Sequence, residues 1–540
     1  MIRRTLLAGL AAALAATGAT ACADNNNSSK GGGGQPLVVE AIDQGSWQRN
    51  FNPFATSTRN MGTFGLLYEP LMFLNKLKPG SQTPWLATKA DWSDGGRTLT
   101  LDLRDGVTWS DGKAFTADDV VFTFQTVMSH PELDTAGFGL SAATASGRDK
   151  VKLTFSQPAY VKFADLVGNT PIVPKHVFAG QNPVTFANPN PVGTGPYTLR
   201  SFSAQMYEFG KNNRYWQKDK VQVPAVRFPA YTANTVQTGL QQKEIDWAGA
   251  FVPDLKKIYV QNDAAHNKYF FPPDGVVSLY PNLARGPLAK LEVRQAISLA
   301  LDRARLVKVA ERGYTKVAHP SAVAMPGGQK YVPSKYHDTS FKVDDAKATS
   351  LLAQAGYNAG NPLKLELLVP SPYTDWVDAA QLIKEDLGKV GIDLEPRGVS
   401  VQDWVAKVGQ GNYDLTIRGA VYGATPYFVM RSLLSGKLYQ PVGTSAKGNY
   451  ERWQDSGTDA LLARYEGTDD EKQQEQAVQG LVGTMIEKLP VLPLFYSPNW
   501  AEYRTTKYTG WPTAADPYAM PAPFQSPDMA VVLLHLRKAK

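Results

Sequence analysis

The chain has 540 residues, 43% hydrophobic and 19% charged, with a formal charge of +7. That length exceeds what one hydrophobic core usually serves, so two or three domains are expected. The basic excess is spread thinly, without a dense Lys/Arg run, which argues against nucleic acid as a partner.

Arg3 and Arg4 precede an apolar run from Leu6 to Ala16, too short to span a bilayer and of the length expected of an export signal. Residues 1–21 therefore read as a signal peptide. The string Arg3-Arg4-Thr5-Leu6-Leu7 keeps both the general and the twin-arginine export routes open. Cys22 is the sole cysteine and follows Ala19-Thr20-Ala21, which resembles a bacterial lipobox. Cys22 is thus the expected lipidation site, anchoring an extracytoplasmic protein to the cell membrane, with the lipid bilayer as a partner. The alternative is an ordinary signal-peptidase site with an incidental cysteine. Residues 22–35, rich in Asn, Ser and Gly, form a flexible tether with a reach of about 20 Å. Past it, no apolar run approaches the roughly 20 residues of a spanning helix.

Leu37 to Ile42 reads as the first strand, and Phe51-Asn52-Pro53-Phe54 as a loop. From Pro84 to Phe124 the pattern sharpens. Leu99, Leu101 and Leu103 alternate with Thr98, Thr100 and Asp102, the period of a half-buried strand. Asp105-Gly106 and Asp111-Gly112 supply turns. Thr116, with Asp119 three residues on, predicts a capped helix whose apolar face starts at Val120, Val121 and Phe124.

Trp85-Leu86-Ala87, Ser93-Asp94-Gly95, Leu103-Arg104-Asp105-Gly106-Val107-Thr108-Trp109-Ser110-Asp111-Gly112 and Phe115-Thr116-Ala117-Asp118-Asp119-Val120-Val121-Phe122 resemble the signature of the family 5 extracytoplasmic solute-binding proteins. These are the receptors of peptide, nickel and oligosaccharide ABC importers. Gly65 to Leu71 is similar to the family's early helix. Pro191-Val192-Gly193-Thr194-Gly195-Pro196-Tyr197 resembles its glycine turn, and Asn212 to Trp216, Lys243 to Trp247, and Val293-Arg294-Gln295-Ala296-Ile297 with Leu301-Asp302-Arg303 extend the likeness. Arg294 and Arg303 are read as helix-surface or ion-pair residues.

Val276 to Tyr280 predicts a strand running into Asn282. Asp345 to Gly356 and Asp378 to Val390 predict amphipathic helices, and Leu363 to Val369 and Ile392 to Glu395 strands. This alternation indicates an α/β architecture. The resemblance implies a two-lobed periplasmic-binding-protein fold with an extra subdomain and two hinge crossovers, near Tyr280–Asn282 and Leu494–Tyr496. It implies residues 36–75, 191–283 and 496–540 as lobe I, 76–190 as an inserted subdomain and 284–495 as lobe II. The protein would be a monomer that closes on its solute and delivers it to ABC permease subunits in the membrane.

No catalytic motif stands out. Asp118-Asp119 is the most conspicuous acidic pair and suits a helix's first turn. The six histidines are dispersed, and no metal site or cofactor is expected. A secreted carbohydrate-active enzyme is the alternative from another class. Family members that take peptides usually neutralise the α-ammonium with an aspartate after a Tyr-Asp-Leu motif. Here Tyr413-Asp414-Leu415 is followed by Gly423-Ala424-Thr425, so an oligosaccharide is preferred to an oligopeptide. Trp247, Trp376 and Trp404 are the candidate stacking rings, with Tyr422 and Tyr427 beside the missing carboxylate. Asn52, Asn282 and Asp375 are candidate hydroxyl partners, and Phe54 joins them from its loop.

Overall fold

The computed structural model describes residues 35–540, apart from 41–44, 57, 79, 135–136, 326 and 424. Cys22, the tether and the signal peptide lie outside the described residues. The strand Thr98–Leu103 forms as its alternation predicts, antiparallel to Ala87–Ser93 on one side and Lys150–Phe155 on the other. Leu99, Leu101 and Leu103 are buried. Thr116 and Asp119 make a capping box on the helix Ala117–Ser129. The Asp119 carboxylate also accepts hydrogen bonds from the Trp109 indole (3.2 Å) and the Lys175 amide (3.0 Å). One carboxylate thus ties a cap, a turn and a second helix together.

One large unit is built on a sheet in which Leu37–Val38 pairs parallel to Ala225–Pro229, followed by Met206–Lys211 and Tyr197–Phe202. Gly65 stands at φ +99° inside an irregular turn, Thr63–Leu67, where the resemblance implied a helix. Its backbone angle is open to glycine and breaks the helical run. Gly193 and Gly195 are required for closeness: a Cβ would lie 1.9 Å from the Leu67 carbonyl oxygen and 2.4 Å from that of Leu66. A smaller sheet joins Trp247–Ala248, Glu502–Arg504 and Asn267–Tyr269.

The other large unit is a five-stranded sheet in the order Ile392–Val399, Leu363–Pro370, Leu415–Val421, Pro273–Pro281, Leu492–Pro498. Leu363–Pro370 runs parallel to both its neighbours, and Pro273–Pro281 antiparallel to both of its own. Helices cover both faces, so Pro273–Pro281, fourth in that order, turns apolar side chains to both sides. Val277 and Leu279 enter one core with the helices Leu291–Ala300 and Thr374–Lys389, while Val276 and Tyr280 enter the other with Tyr427–Leu434 and Glu471–Lys488.

Arg294 and Arg303 are buried, contrary to the surface role read from their helix. Arg294 donates to the carbonyls of Leu288, Ala289, Lys488 and Leu489. Arg303 donates to those of Ser298, Leu301 and Pro493 and lies 3.5 Å from the Phe341 ring centroid. Arg294 thus holds helix-end carbonyls that lack helical partners, and Arg303 ties the end of its preceding helix to the strand Leu492–Pro498.

Because Pro273–Pro281 and Leu492–Pro498 both lie in the five-stranded sheet, the chain passes between the two units at residues 270–272 and 499–501, outside the stretches Tyr280–Asn282 and Leu494–Tyr496. The two passages are bonded side by side: Phe270 N–H donates to Ala501 O (3.1 Å) and Asn499 N–H to Pro272 O (2.8 Å).

Candidate functional site

A cleft of about 530 Å³ lies between the two units. One wall comes from 74–82, 160–169 and 526–528, the other from the segment after Leu415–Val421 and the helices behind it. Tyr160, Phe163, Tyr422, Phe428 and Tyr465 bring rings to it, and Asn75, Gln82, Asn169 and Gln474 bring side-chain amides.

The far wall is stiffened from behind. Tyr465 lies face to face with Tyr427, centroids 4.2 Å apart and planes 8° apart. The Tyr465 hydroxyl meets Thr425 Oγ1 at 2.8 Å, and the Tyr427 hydroxyl donates to Glu466 at 2.6 Å. Gly423 borders the cleft where a Cβ would stand 2.4 Å from the Phe428 ring. A side chain at this rim position collides with Phe428, a steric reason for the absence of an acid.

Two buried acids lie at the cleft, Asp528 in its lining and Asp274 behind Tyr422. Asp274 accepts hydrogen bonds from the amides of Asn499 and Gln525, and its backbone carbonyl accepts the Tyr422 N–H (3.0 Å). Burial pushes its carboxyl up, and Lys76 offsets part of that rise. Asp528 accepts the Met520 N–H (2.9 Å) and is pushed up to about 6 by burial, again against the pull of Lys76. Above them the Tyr422 hydroxyl has no partner among the described residues, and burial raises it well above the usual phenol range.

Of the residues singled out from sequence, Tyr422 lines the cleft. Tyr427, five positions on, is buried beneath Tyr465. Trp247 is wholly buried in the lobe I core, its indole donating to Pro521 O (2.8 Å) and set edge-on to Trp511. It has no face left for a solute. Trp376 and Trp404 do meet, centroids 6.0 Å apart, but against the five-stranded sheet and away from the cleft. Trp404 donates to Thr416 Oγ1 (2.9 Å) and lies under the Arg418 guanidinium.

Asn52 is buried, donating to Pro183 O (2.7 Å) and accepting the Phe54 N–H (3.0 Å), so it shapes its own loop. Asn282 donates to Gly411 O and Tyr413 O. Asp375 opens the helix Thr374–Lys389 beside Glu311; burial lifts its carboxyl to about 6, and burial, then the Asp375 charge, lifts Glu311 well above the usual range. Phe54 packs edge-on to Phe178 and lines a smaller chamber beside the cleft. Tyr160, Phe163, Phe428, Tyr465 and Lys76 carry no sequence signal of their place; Phe428 alone adjoins a residue singled out.

Among the described residues no three His, Cys, Asp or Glu gather to hold a metal ion, and no helix is long and apolar enough to cross a membrane.

The fold and cleft have relatives. The chain is 25% identical over 460 residues to di/tripeptide-binding protein 1 of Pseudomonas aeruginosa, spanning 78% of this chain and 82% of that protein. It is 25% identical over 479 residues to the nickel-binding periplasmic protein of Escherichia coli, spanning 82% and 86%. The periplasmic oligopeptide-binding protein of an oligopeptide ABC transporter from Thermotoga maritima superposes with a TM-score of 0.86 at 27% identity, covering 93% of this chain and 99% of that one. The mannohexaose-bound form of that protein gives 0.80 at 28% identity, covering 93% and 98%. The model of the bacterial extracellular solute-binding proteins, family 5 Middle, matches residues 81–439. With the two-lobed α/β fold and the cleft between its units, that match makes the chain a member of the family 5 extracellular solute-binding proteins.

Proposed function

We propose that the protein is the solute receptor of an ABC importer and that it captures an extended oligosaccharide between its lobes for delivery to a membrane permease. The cleft lining carries this reading. Tyr160, Phe163, Tyr422, Phe428 and Tyr465 offer ring faces, Gln82 offers an amide that both donates and accepts, and Asn169 and Gln474, each already donating within the protein, keep their amide oxygens for a solute. A pyranose presents an apolar face and a rim of hydroxyls, which need those two kinds of partner. The relative solved with mannohexaose bound supports a sugar as ligand. Solute that touches both walls favours the closed state and shifts the population toward it.

An oligopeptide is the second reading, supported by the peptide-binding relatives and by Asp165 in the cleft wall. Calorimetry with cello-, xylo- and manno-oligosaccharides and with a peptide mixture separates the two. Binding of a sugar at micromolar affinity supports the first reading, and binding of peptides alone overturns it. Recovery of the bound oligosaccharide intact after long incubation separates a receptor from a carbohydrate-active enzyme.

Anchoring through a diacylglyceryl group on Cys22 belongs to the same proposal, supported by the lone cysteine after Ala19-Thr20-Ala21. Mass spectrometry of the N-terminal peptide from membranes tests it, a lipid-free Cys22 overturning it.

A further inference from the structure

Beside the cleft lies a chamber of about 300 Å³, lined by Phe54, Arg59, Phe64, Val127 and Phe138 among others. Asp165, Asn169 and Ser526 border both spaces, so the chamber adjoins the cleft. We propose that this chamber is a subsite for a carboxylate of the bound solute, with Arg59 as its counter-ion. The inference rests on the cleft being the solute site.

Arg59 is the only cation among the lining residues, and its surroundings are chiefly rings and aliphatic groups. Its guanidinium donates to Pro53 O and lies 5.5 Å from the Phe64 ring centroid. Among the described residues no carboxylate pairs with it. Burial alone holds its pKa down at about 10, with no neighbouring negative charge to raise it. Asp165, at the border, accepts a hydrogen bond from the Asn169 amide (2.9 Å), and its charge acts on Lys162.

Arg294 shows the contrast, because its guanidinium is saturated by four backbone carbonyls. Arg59, half-buried, gives one N–H to Pro53 O and no other acceptor among the described residues takes its remaining donors, so a carboxylate entering the chamber would find them available. The planar fork suits a carboxylate held through two parallel bonds. The carboxylate could belong to a uronic acid unit of an oligosaccharide or to the α-carboxyl of a peptide, and the chemistry at Arg59 is the same for both.

Calorimetry near pH 7 with paired probes tests this: trigalacturonate against its methyl ester, and trialanine against trialanine amide. The acid of one pair should bind about tenfold tighter than its neutral partner, the value of a charged hydrogen-bonded pair. The pair that shows the gap names the source. Arg59→Gln should lower that acid to the level of its neutral partner, and Arg59→Lys, which keeps the charge without the fork and packs more conservatively, should narrow the gap. Equal binding within both pairs by the unmodified protein overturns the inference, as does an Arg59→Gln variant that weakens both members of a pair alike. If no oligomer binds at all, the oligomer reading falls. A thermal shift with free glucuronate, present in the unmodified protein and lost in Arg59→Gln, then retains the subsite, and no shift overturns it.

Discussion

Tyr465 lies flat against Tyr427 at 4.2 Å, so the ring that faces the cleft rests on one wholly withdrawn from it. Tyr465→Ala should therefore act twice, destabilising the fold by about 3 kcal/mol through the void it leaves and weakening solute binding. Tyr465→Phe keeps the stack and loses only the contact with Thr425, so its stability should fall by about 1 kcal/mol. Urea unfolding and calorimetry on both variants check the split.

Gly423 and Phe428 compete for one volume, with a Cβ at 423 standing 2.4 Å from the ring. Gly423→Ala is expected to cost about 1–3 kcal/mol as an overpacking change. In a Phe428→Ala background that cost should largely vanish. A double-mutant cycle read by urea unfolding measures the coupling, and strict additivity would contradict the steric account of the missing acid.

Glu69 is buried beneath Trp85, Tyr215 and Trp216, all three donating to its Oε1, and burial pushes its carboxyl up from 4.5 to about 7. The folded chain holds this proton more tightly than the unfolded chain. The stabilisation is therefore full below the unfolded pKa and is lost as pH rises through the folded one. Glu69→Gln is neutral throughout. The drop in unfolding free energy between about pH 5 and about pH 8 should be smaller in the variant by roughly 2 kcal/mol.

Trp376 and Trp404 pack on one another at the sheet, remote from the cleft. Trp404→Ala should cost roughly 3 kcal/mol of stability while leaving solute affinity within about twofold of the unmodified protein, less than half a kcal/mol. Calorimetry under conditions where the variant stays folded checks this, and a tenfold loss of affinity would return these rings to the binding surface.

The legible parts of the fold were short-range. The alternation of Leu99, Leu101 and Leu103 and the Thr116–Asp119 cap are decided within a few residues, and both formed as expected. The cleft is assembled from distant pieces: Lys76, Tyr160 and Tyr465 share it across almost the whole chain, and nothing local marks their convergence. Large rings mislead for a physical reason. Trp247 and Trp404 have the most apolar area to withdraw from water and a single polar atom to satisfy, so the core takes them readily. Even the informative segment divides, because Pro426 and Tyr427 start a helix that turns one tyrosine inward while Tyr422 stays at the opening.

The two passages between the units carry a mechanical consequence. Phe270 to Ala501 and Asn499 to Pro272 form a short ladder, and Asn499 also accepts the Ala522 amide while donating to Asp274. Two linkers clasped in this way resist shearing along each other and twisting about their length, yet still flex as a leaf spring does. Under the proposed closure on solute, such a clasp would confine opening to one arc and return the same pair of walls into register. The carboxamide of Asn499 works as the rivet of that spring, joining its own linker to Asp274 at the head of the strand Pro273–Pro281 and to Ala522 of the C-terminal segment.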